Sequence, residues 1–437
     1  WSNDTITIGT VTTPVNDAPV VGGTATIPST EDASTGTTVG NVLTQVNYTD
    51  GIDTITDGST GTPAAGLAIT NNASTPAQGT WQYTTDGTTW VDIPHTGLSD
   101  TNAIVIPATA SLRFVPQPDW NGTPGSLTAR ISDGTGGLPA TGEQNLGTVG
   151  GTSQWSNDTI TIGTVTVPVN DAPVATGTST LPSVPEDAAN PPGRTVTDLF
   201  LPRFNDSRDQ VTDGSSANSL AGIAITKNDS TPAQGTWQYT LDGTTWVDVP
   251  RTGLGDTTAL ILPSTASLRF VPEPQWNGTP GGLTVRLIDG SNTSNNPVPF
   301  SLSSDVSVNG ETTAISRNEV PLTTTVTAVN DAPVVSGQAR VPPSREDNPS
   351  PTGTSVSELL GQGTVNYTDG TDTVPSGSTG TPSTGIAIVG NTATPDQGTW
   401  QYSTDGGTTW VNIPNTGLGN DNAIVLPNNA TLRFEPT

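Results

Sequence analysis

The sequence predicts an all-β fold, a row of sandwich-like repeats, and three observations predict it. The first is self-similarity. Trp-Ser-Asn-Asp-Thr-Ile-Thr-Ile-Gly-Thr-Val-Thr stands at 1–12 and 155–166, and Val-Asn-Asp-Ala-Pro-Val at 15–20, 169–174 and 329–334. Gly-Thr-Trp-Gln-Tyr recurs at 79–83, 235–239 and 398–402. These spacings give a unit of 154 to 163 residues, and 74–134 aligns with 230–290 without a gap. A long fixed period marks an array of like units. The second is local pattern: Thr5-Ile6-Thr7-Ile8, Ala103-Ile104-Val105-Ile106 and Leu112-Arg113-Phe114-Val115 are short and rich in strand formers. The third is punctuation, since 49 Gly and 38 Pro make about one residue in five a turn former. No helical period exceeds one or two turns.

The repeats divide the chain into 1–15, a terminal strand of a preceding repeat; 16–169 and 170–329, two whole repeats; and 330–437, an incomplete one. A unit of about 155 residues is larger than a minimal sandwich of about 100. An inserted layer or a pair of small modules would account for the excess. With no Met and a pattern cut at both ends, the chain reads as a segment of a longer protein.

Composition removes several functions. Thirteen Lys and Arg against 40 Asp and Glu give a net charge of −27. Nucleic-acid binding needs cations to neutralise phosphates, so that class is excluded, and attraction to anionic lipid fails for the same reason. No apolar run reaches the ~20 residues of a membrane-spanning segment. The absence of Cys rules out disulfides, thiol nucleophiles and thiolate metal sites.

Along the unit, the sharpest local signal is the hairpin at 81–91. Asp86-Gly87 reads as a two-residue type I′ turn, which sets Tyr83 opposite Trp90 with Trp81 diagonal to them. The third copy has one extra residue, Asp405-Gly406-Gly407, and a three-residue loop would keep Tyr402 opposite Trp410. Trp81, Tyr83 and Trp90 read as core, because each ring has a large area to bury; a sugar-stacking platform is the rival. Trp120 and Trp276 read as half-buried plugs. Sequons at Asn47, Asn121, Asn157 and Asn277 leave glycosylation open.

Each repeat ends in a Thr/Val strand entering Val-Asn-Asp-Ala-Pro-Val, and an acidic doublet follows: Glu31-Asp32, Glu186-Asp187, Glu346-Asp347. Further on come Leu112-Arg113-Phe114-Val115-Pro116, Trp120-Asn121-Gly122-Thr123 and Ser132-Asp133-Gly134, with counterparts at 268–272, 276–279 and 288–290. This arrangement resembles the cadherin-like tandem repeats of large bacterial surface proteins and adhesins. The resemblance implies Greek-key (cadherin- or Ig-like) β-sandwiches strung into an elongated rod, exported to the bacterial cell surface, with calcium between neighbours.

Calcium takes six to eight oxygen ligands with several carboxylates converging. The resemblance implies one set of Asp133, Asn170, Asp171, Glu186 and Asp187, joined by Asp206 and Asp209. It implies a second of Asp289, Asn330, Asp331, Glu346 and Asp347, with Asp369 and Asp372. Asn16, Asp17, Glu31, Asp32, Asp50 and Asp53 form the first-copy set. The linker departs from the animal pattern, with Pro168 and Ala172 where cadherins carry further ligands, and Pro14 and Ala18 likewise. Asn-Asp-Ala-Pro also reads as a rigid turn with Asx hydrogen bonds and a Pro-fixed φ. Both readings of the linker stand at this point.

Enzymatic readings find little support. The Asp-box pattern at 403–410 is a structural hairpin in sialidase-type propellers, and here it recurs far too rarely for blades. No carboxylate pair stands out from the junction sets. His95 is replaced by Arg251 and Asn415 in the other copies, which marks a solvated loop residue. The sequence therefore predicts a non-enzymatic, extracellular stalk of a surface adhesin whose partners are its neighbouring repeats. A self-assembling filament, sheath or surface layer of like copies is the second reading, and a carbohydrate-binding module that takes glycans the remote third.

Overall fold

The computed structural model describes residues 1–291, 300–375 and 377–437. In the first repeat the strands are β1 (Val20–Gly22), β2 (Thr24–Thr30), β3 (Thr37–Thr38), β4 (Asn47–Thr49), β5 (Gly66–Asn72) and β6 (Gly79–Thr84). They continue as β7 (Val91–Asp92), β8 (Ala103–Pro107), β9 (Ser111–Pro116), β10 (Leu127–Ser132), β11 (Gly142–Gln144) and β12 (Ile160–Val167). One five-residue helix, α1 (Val39–Leu43), follows β3 and starts where Thr38 Oγ1 accepts the Asn41 N–H. That is an ordinary N-cap, and besides it the repeat has only a single 3-10 turn at Gly51–Asp53 among the described residues.

Two sheets face each other. One runs β11-β8-β5-β10-β12-β2 and the other β3-β9-β6-β7, with β1 and β4 paired beside them. Period-two alternation aims one side of each strand inward: β2 alternates exposed and buried residues throughout, and β9 alternates half-buried and buried ones. Ile27, Leu67, Ile69, Trp81, Leu112 and Phe114 belong to the single core between the sheets. The second repeat repeats both strand orders, and the described part of the third copy has the four-stranded sheet with two-stranded pairs. The all-β sandwich expected from the sequence is the fold.

The surplus length has a definite use. Strands β5 and β8 are covered on their outer face as well, where Ala68, Ala103 and Val105 meet Leu146 and the buried Trp155. Each unit is thus one sandwich with an added layer, and the second repeat builds the same layer with Val306 and Ala314.

The chain direction within the first sheet decides what meets at each end. Strand β12 lies antiparallel to β10 and parallel to β2, with Thr161 level with Thr24 and Val167 level with Thr30. The start of β2 and the end of β10 therefore share the upstream end of the unit, while the ends of β2 and β12 share the downstream end.

The hairpin register differs from expectation. Tyr83 pairs with Val91 and Gln82 with Asp92, so Trp90 lies outside the ladder. The cause is Asp86, whose Oδ1 accepts the N–H groups of both Thr88 and Thr89 and closes a wider, side-chain-capped loop. Trp81 and Tyr83 are core, whereas Trp90 is half-exposed and lies 4.0 Å beneath the Arg113 guanidinium. The same stack recurs as Arg269 on Trp246 and Arg433 on Trp410. The extra glycine of the third copy is absorbed in the loop, leaving Tyr402 against Val411.

Residues 1–15 enter no ladder among the described residues, and Trp1, Ile6, Ile8 and Val11 are exposed. Their twin 155–166 is held because β10 and β2 flank β12. No helix among the described residues is long and apolar enough to cross a membrane.

Candidate functional site: the joint between repeats

The acidic residues gather at the ends of the units, but in groups that chain order does not suggest. Asp133 follows β10 and so returns to the upstream end of its own repeat, where its Oδ2 accepts the Asn16 amide at 3.1 Å. Asp289 stands likewise to Asn170, at 3.5 Å. The doublets do the opposite. Glu31 follows β2, and β2 runs alongside β12, so Glu31-Asp32 arrives at the downstream joint with Asn170-Asp171. Glu186-Asp187 in turn meets Asn330-Asp331. The sequence-derived sets, which put Asp133 with Asn170 and Glu31 with Asn16, are divided in this way. In the third copy Glu346 and Asp347 are exposed.

Each joint is built from the same contacts. Glu31 is buried, and its Oε2 accepts the Val169 N–H of the linker at 2.8 Å. Its carboxylate also accepts the amide of Asn121, a buried residue of the loop after β9. Asn121 then crosses the joint: its Nδ2 donates to Ser215 Oγ at 2.8 Å, and its Oδ1 accepts the Ser215 N–H at 2.7 Å. At the next joint Glu186 accepts the Val329 N–H at 2.7 Å, and Asn277 holds Ser378 through the same two bonds at 2.8 and 2.7 Å. Gly214 is required there, since a Cβ would stand 2.5 Å from Asn121 Oδ1; at Gly377 the figure is 2.4 Å from Asn277 Oδ1. Sequence reasoning treated Asn121 and Asn277 as sequons in a loop. Their burial instead withdraws them from solvent in the folded chain.

The upstream face of each repeat is also constant. The N–H groups of Asp17, Asp171 and Asp331 donate to Oδ1 of Asp53, Asp209 and Asp372 at 3.0, 2.9 and 2.9 Å. Asp50, Asp206 and Asp369 each take the N–H of the residue twelve positions on, at 2.6, 2.5 and 2.6 Å. These bonds are long-range ties that hold the linker to the loop after β4 and its counterparts and close that loop, not the local Asx bonds of the rigid-turn reading. They leave the charge unanswered.

That charge is concentrated and weakly compensated. Burial pushes the Asp171 carboxyl up to about 6, helped by Asp119 and Asp32 from the first repeat and Asp209 from its own. Burial carries Asp206 to about 7, with Asp209 and Asp289 adding to it. Burial also raises Glu31, Asp209 and Asp289. Among the described residues the cation at this joint is Arg208, an exposed side chain 3.7 Å from Asp171. Asp206 Oδ1 and Asp331 Oδ2 are buried without a hydrogen-bond partner. Oxygen donors with unpaired lone pairs are of the kind hard cations take, but no group of three or more such residues among the described residues is placed to hold a metal ion.

A pH dependence follows for metal-free protein. A carboxyl raised in the folded state binds its proton more tightly there than in the unfolded chain. Its contribution is fully present below the ordinary value of 3.8 and is lost as pH rises through about 6 for Asp171 and about 7 for Asp206. Asp86 and Asp242 are held well below the usual range chiefly by loop N–H groups and Asp405 chiefly by the Thr409 hydroxyl, so their opposing loss begins only in stronger acid. In chelator the melting temperature should therefore climb as pH falls from about 7.5 to about 4.5. A steady decline across that window would contradict the electrostatics described.

His95 is half-buried and pins a loop: its Nδ1 donates to the Ser74 carbonyl at 2.8 Å. Arg251 and Asn415, at the same place in the other copies, also donate to backbone carbonyls, of Gly235 and Ala393.

No family profile and no curated protein matches the chain. Among solved structures it is similar to a point mutant of the CFA/I adhesin CfaE of enterotoxigenic E. coli. The identity is 11%, over 72% of this chain and 99% of that one, with a TM-score of 0.24. A second structure of CfaE, the adhesive subunit of CFA/I fimbria of enterotoxigenic Escherichia coli, gives 10% identity over 70% and 98%, with the same TM-score of 0.24. Likeness at this level carries no argument about fold or role.

Proposed function

We propose that this chain is a load-bearing extracellular stalk segment of a bacterial surface adhesin, with cadherin-like repeats joined by cation-stiffened joints. The observation that carries this is the joint built twice from the same parts: Glu31, Val169, Asn121 and Ser215, then Glu186, Val329, Asn277 and Ser378. A joint repeated in this detail gives successive units one fixed relation, which is what a stalk requires. Catalysis has no part in this role.

Calcium is the proposed cation. Glu31, Asp32 and Asp119 from one repeat would hold it with Asp171 and Asp209 of the next, and Glu186, Asp187, Asp331 and Asp372 would do so one joint on. It would supply the positive charge that these carboxylates lack and draw them together, while the Asn–Ser bracket sets the angle. The test is the spread of distances between labels on neighbouring repeats, with calcium and with chelator.

A further inference from the structure

We infer that the parallel β2–β12 pair is a mechanical clamp of graded strength, stronger in the first repeat than in the second. In a chain under tension, the pull enters a repeat ahead of β2 and leaves it after β12. These strands are parallel neighbours, so tension drags them past each other lengthwise and loads every bond of the ladder together. A pair pulled apart from one end would lose its bonds singly.

In the first repeat the ladder is unbroken over seven pairs, from Thr24–Thr161 to Thr30–Val167. The Glu31 N–H extends it to the Val167 carbonyl at 3.1 Å, a bond that the second repeat keeps as Glu186 on Thr327 at 3.0 Å. Pro28 does not interrupt it. Thr26 donates its N–H away from β12, to Gln45 Oε1, and residue 28 shares that outward phase, where no ladder donor is needed. Two buried ties reinforce the pair: Thr164 Oγ1 donates to the Ile27 carbonyl at 2.7 Å, and the Ser29 and Thr166 hydroxyls lie 3.0 Å apart.

The second repeat carries one more residue here, reading Leu181-Pro182-Ser183-Val184-Pro185-Glu186 against Ile27-Pro28-Ser29-Thr30-Glu31. The insertion breaks the ladder into two blocks, Ser179–Thr180 on Leu322–Thr323 and Val184–Pro185 on Val326–Thr327, with a shift of register between them. The tie of Thr164 recurs longer, as Thr324 Oγ1 on the Pro182 carbonyl at 3.2 Å, and the Ser29–Thr166 tie is lost because Val326 stands in the place of Thr166; Thr327 Oγ1 makes only a long bond of 3.4 Å to the Val184 carbonyl. The other supports of the last strand do not weaken with it: the two-way bridge of Gly122 with Thr166 recurs as Gly278 with Val326, and the antiparallel neighbour, which holds three ladder pairs in the first repeat, holds five in the second. The parallel pair is therefore the part that is weaker in the second repeat.

This grading rests for its use on the stalk role, and forced unfolding, which reports the unfolding barrier, tests it separately. The whole chain is stretched between handles with twenty Gly/Ser residues inserted after Gly87, a tip with open space around it. The insert lengthens the first repeat's unfolding step by about 70 Å and so labels it. The expected result is that the labelled step comes last and at the highest force. Deleting Pro185 should raise the second repeat's force toward the first, and Ser29→Pro, which removes a ladder donor, should lower the labelled one. A labelled step that comes before the second repeat's, or at equal force, overturns the clamp. Graded forces with loose joints would keep the clamp and remove the stalk, whereas reversed forces with fixed joints would remove the clamp alone.

Discussion

Trp81→Ala should destabilise the first repeat by about 3–5 kcal/mol, the range for emptying a large aromatic site in a packed core. Trp81 is fully buried, and its ring meets Phe114 edge-on with centroids 5.3 Å apart. Its Nε1 donates to the Gly125 carbonyl at 2.9 Å, so the loop after β9 also loses its anchor. The loop packs closely at Gly125, where an added Cβ would stand 2.1 Å from the Ala73 backbone. For a unit of this size the loss lowers the melting temperature by on the order of 10 °C. Trp237 sits in an identical setting in the second repeat, against Phe270 at 5.2 Å and Gly281 at 2.9 Å. Calorimetry of Trp81→Ala should therefore show one transition displaced and the second repeat's transition in place. Displacement of both together, or a loss below about 1 kcal/mol, would contradict the separate cores.

Asn121→Asp should uncouple the first two repeats while leaving each folded. The substitution keeps the shape and replaces the donor amide with an acceptor. Glu31 then faces a second carboxylate at about the 3.3 Å its amide partner now occupies. Ser215 Oγ loses its donor as well. Losing a partner in a buried polar network costs about 1–3 kcal/mol, and an uncompensated buried charge costs more. The order of two variants is decisive. Asn121→Ala removes the bracket alone, whereas Asn121→Asp adds repulsion, so Asp should weaken the coupling more than Ala at neutral pH. Hydrogen exchange at the Val169 amide, whose acceptor Glu31 is kept in both variants, reads this, and faster exchange in Ala than in Asp would contradict the charge argument.

Most of the architecture was legible because repetition makes one chain its own alignment. The period, the alternation in β9 and β12, and the buried Trp81 follow from residue pattern. Grouping at the joints was not legible, because nearness in sequence stood in for nearness in space. Glu31 lies 15 residues after Asn16, yet β2 carries it the length of the unit, and only the parallel pairing with β12 shows where it arrives. The Trp90 register was missed for a local reason: Asp86 spends its carboxylate on two loop N–H groups, and a turn dipeptide does not reveal that. Asn121 had a signal in hand, since Trp-Asn-Gly-Thr recurs at 276–279. A buried Asn between two repeats cannot be told from a surface sequon until the joint is formed.

The central claim is that neighbouring repeats meet in a fixed joint stiffened by calcium. Since the chain has no cysteine, spin labels can be placed cleanly through Thr88→Cys and Thr244→Cys, on exposed hairpin loops of the first and second repeats. The pulsed electron-spin distance distribution should be a single narrow peak in calcium and broaden in chelator, with Asp171→Asn broad in both. One breadth in calcium and chelator alike would contradict the claim.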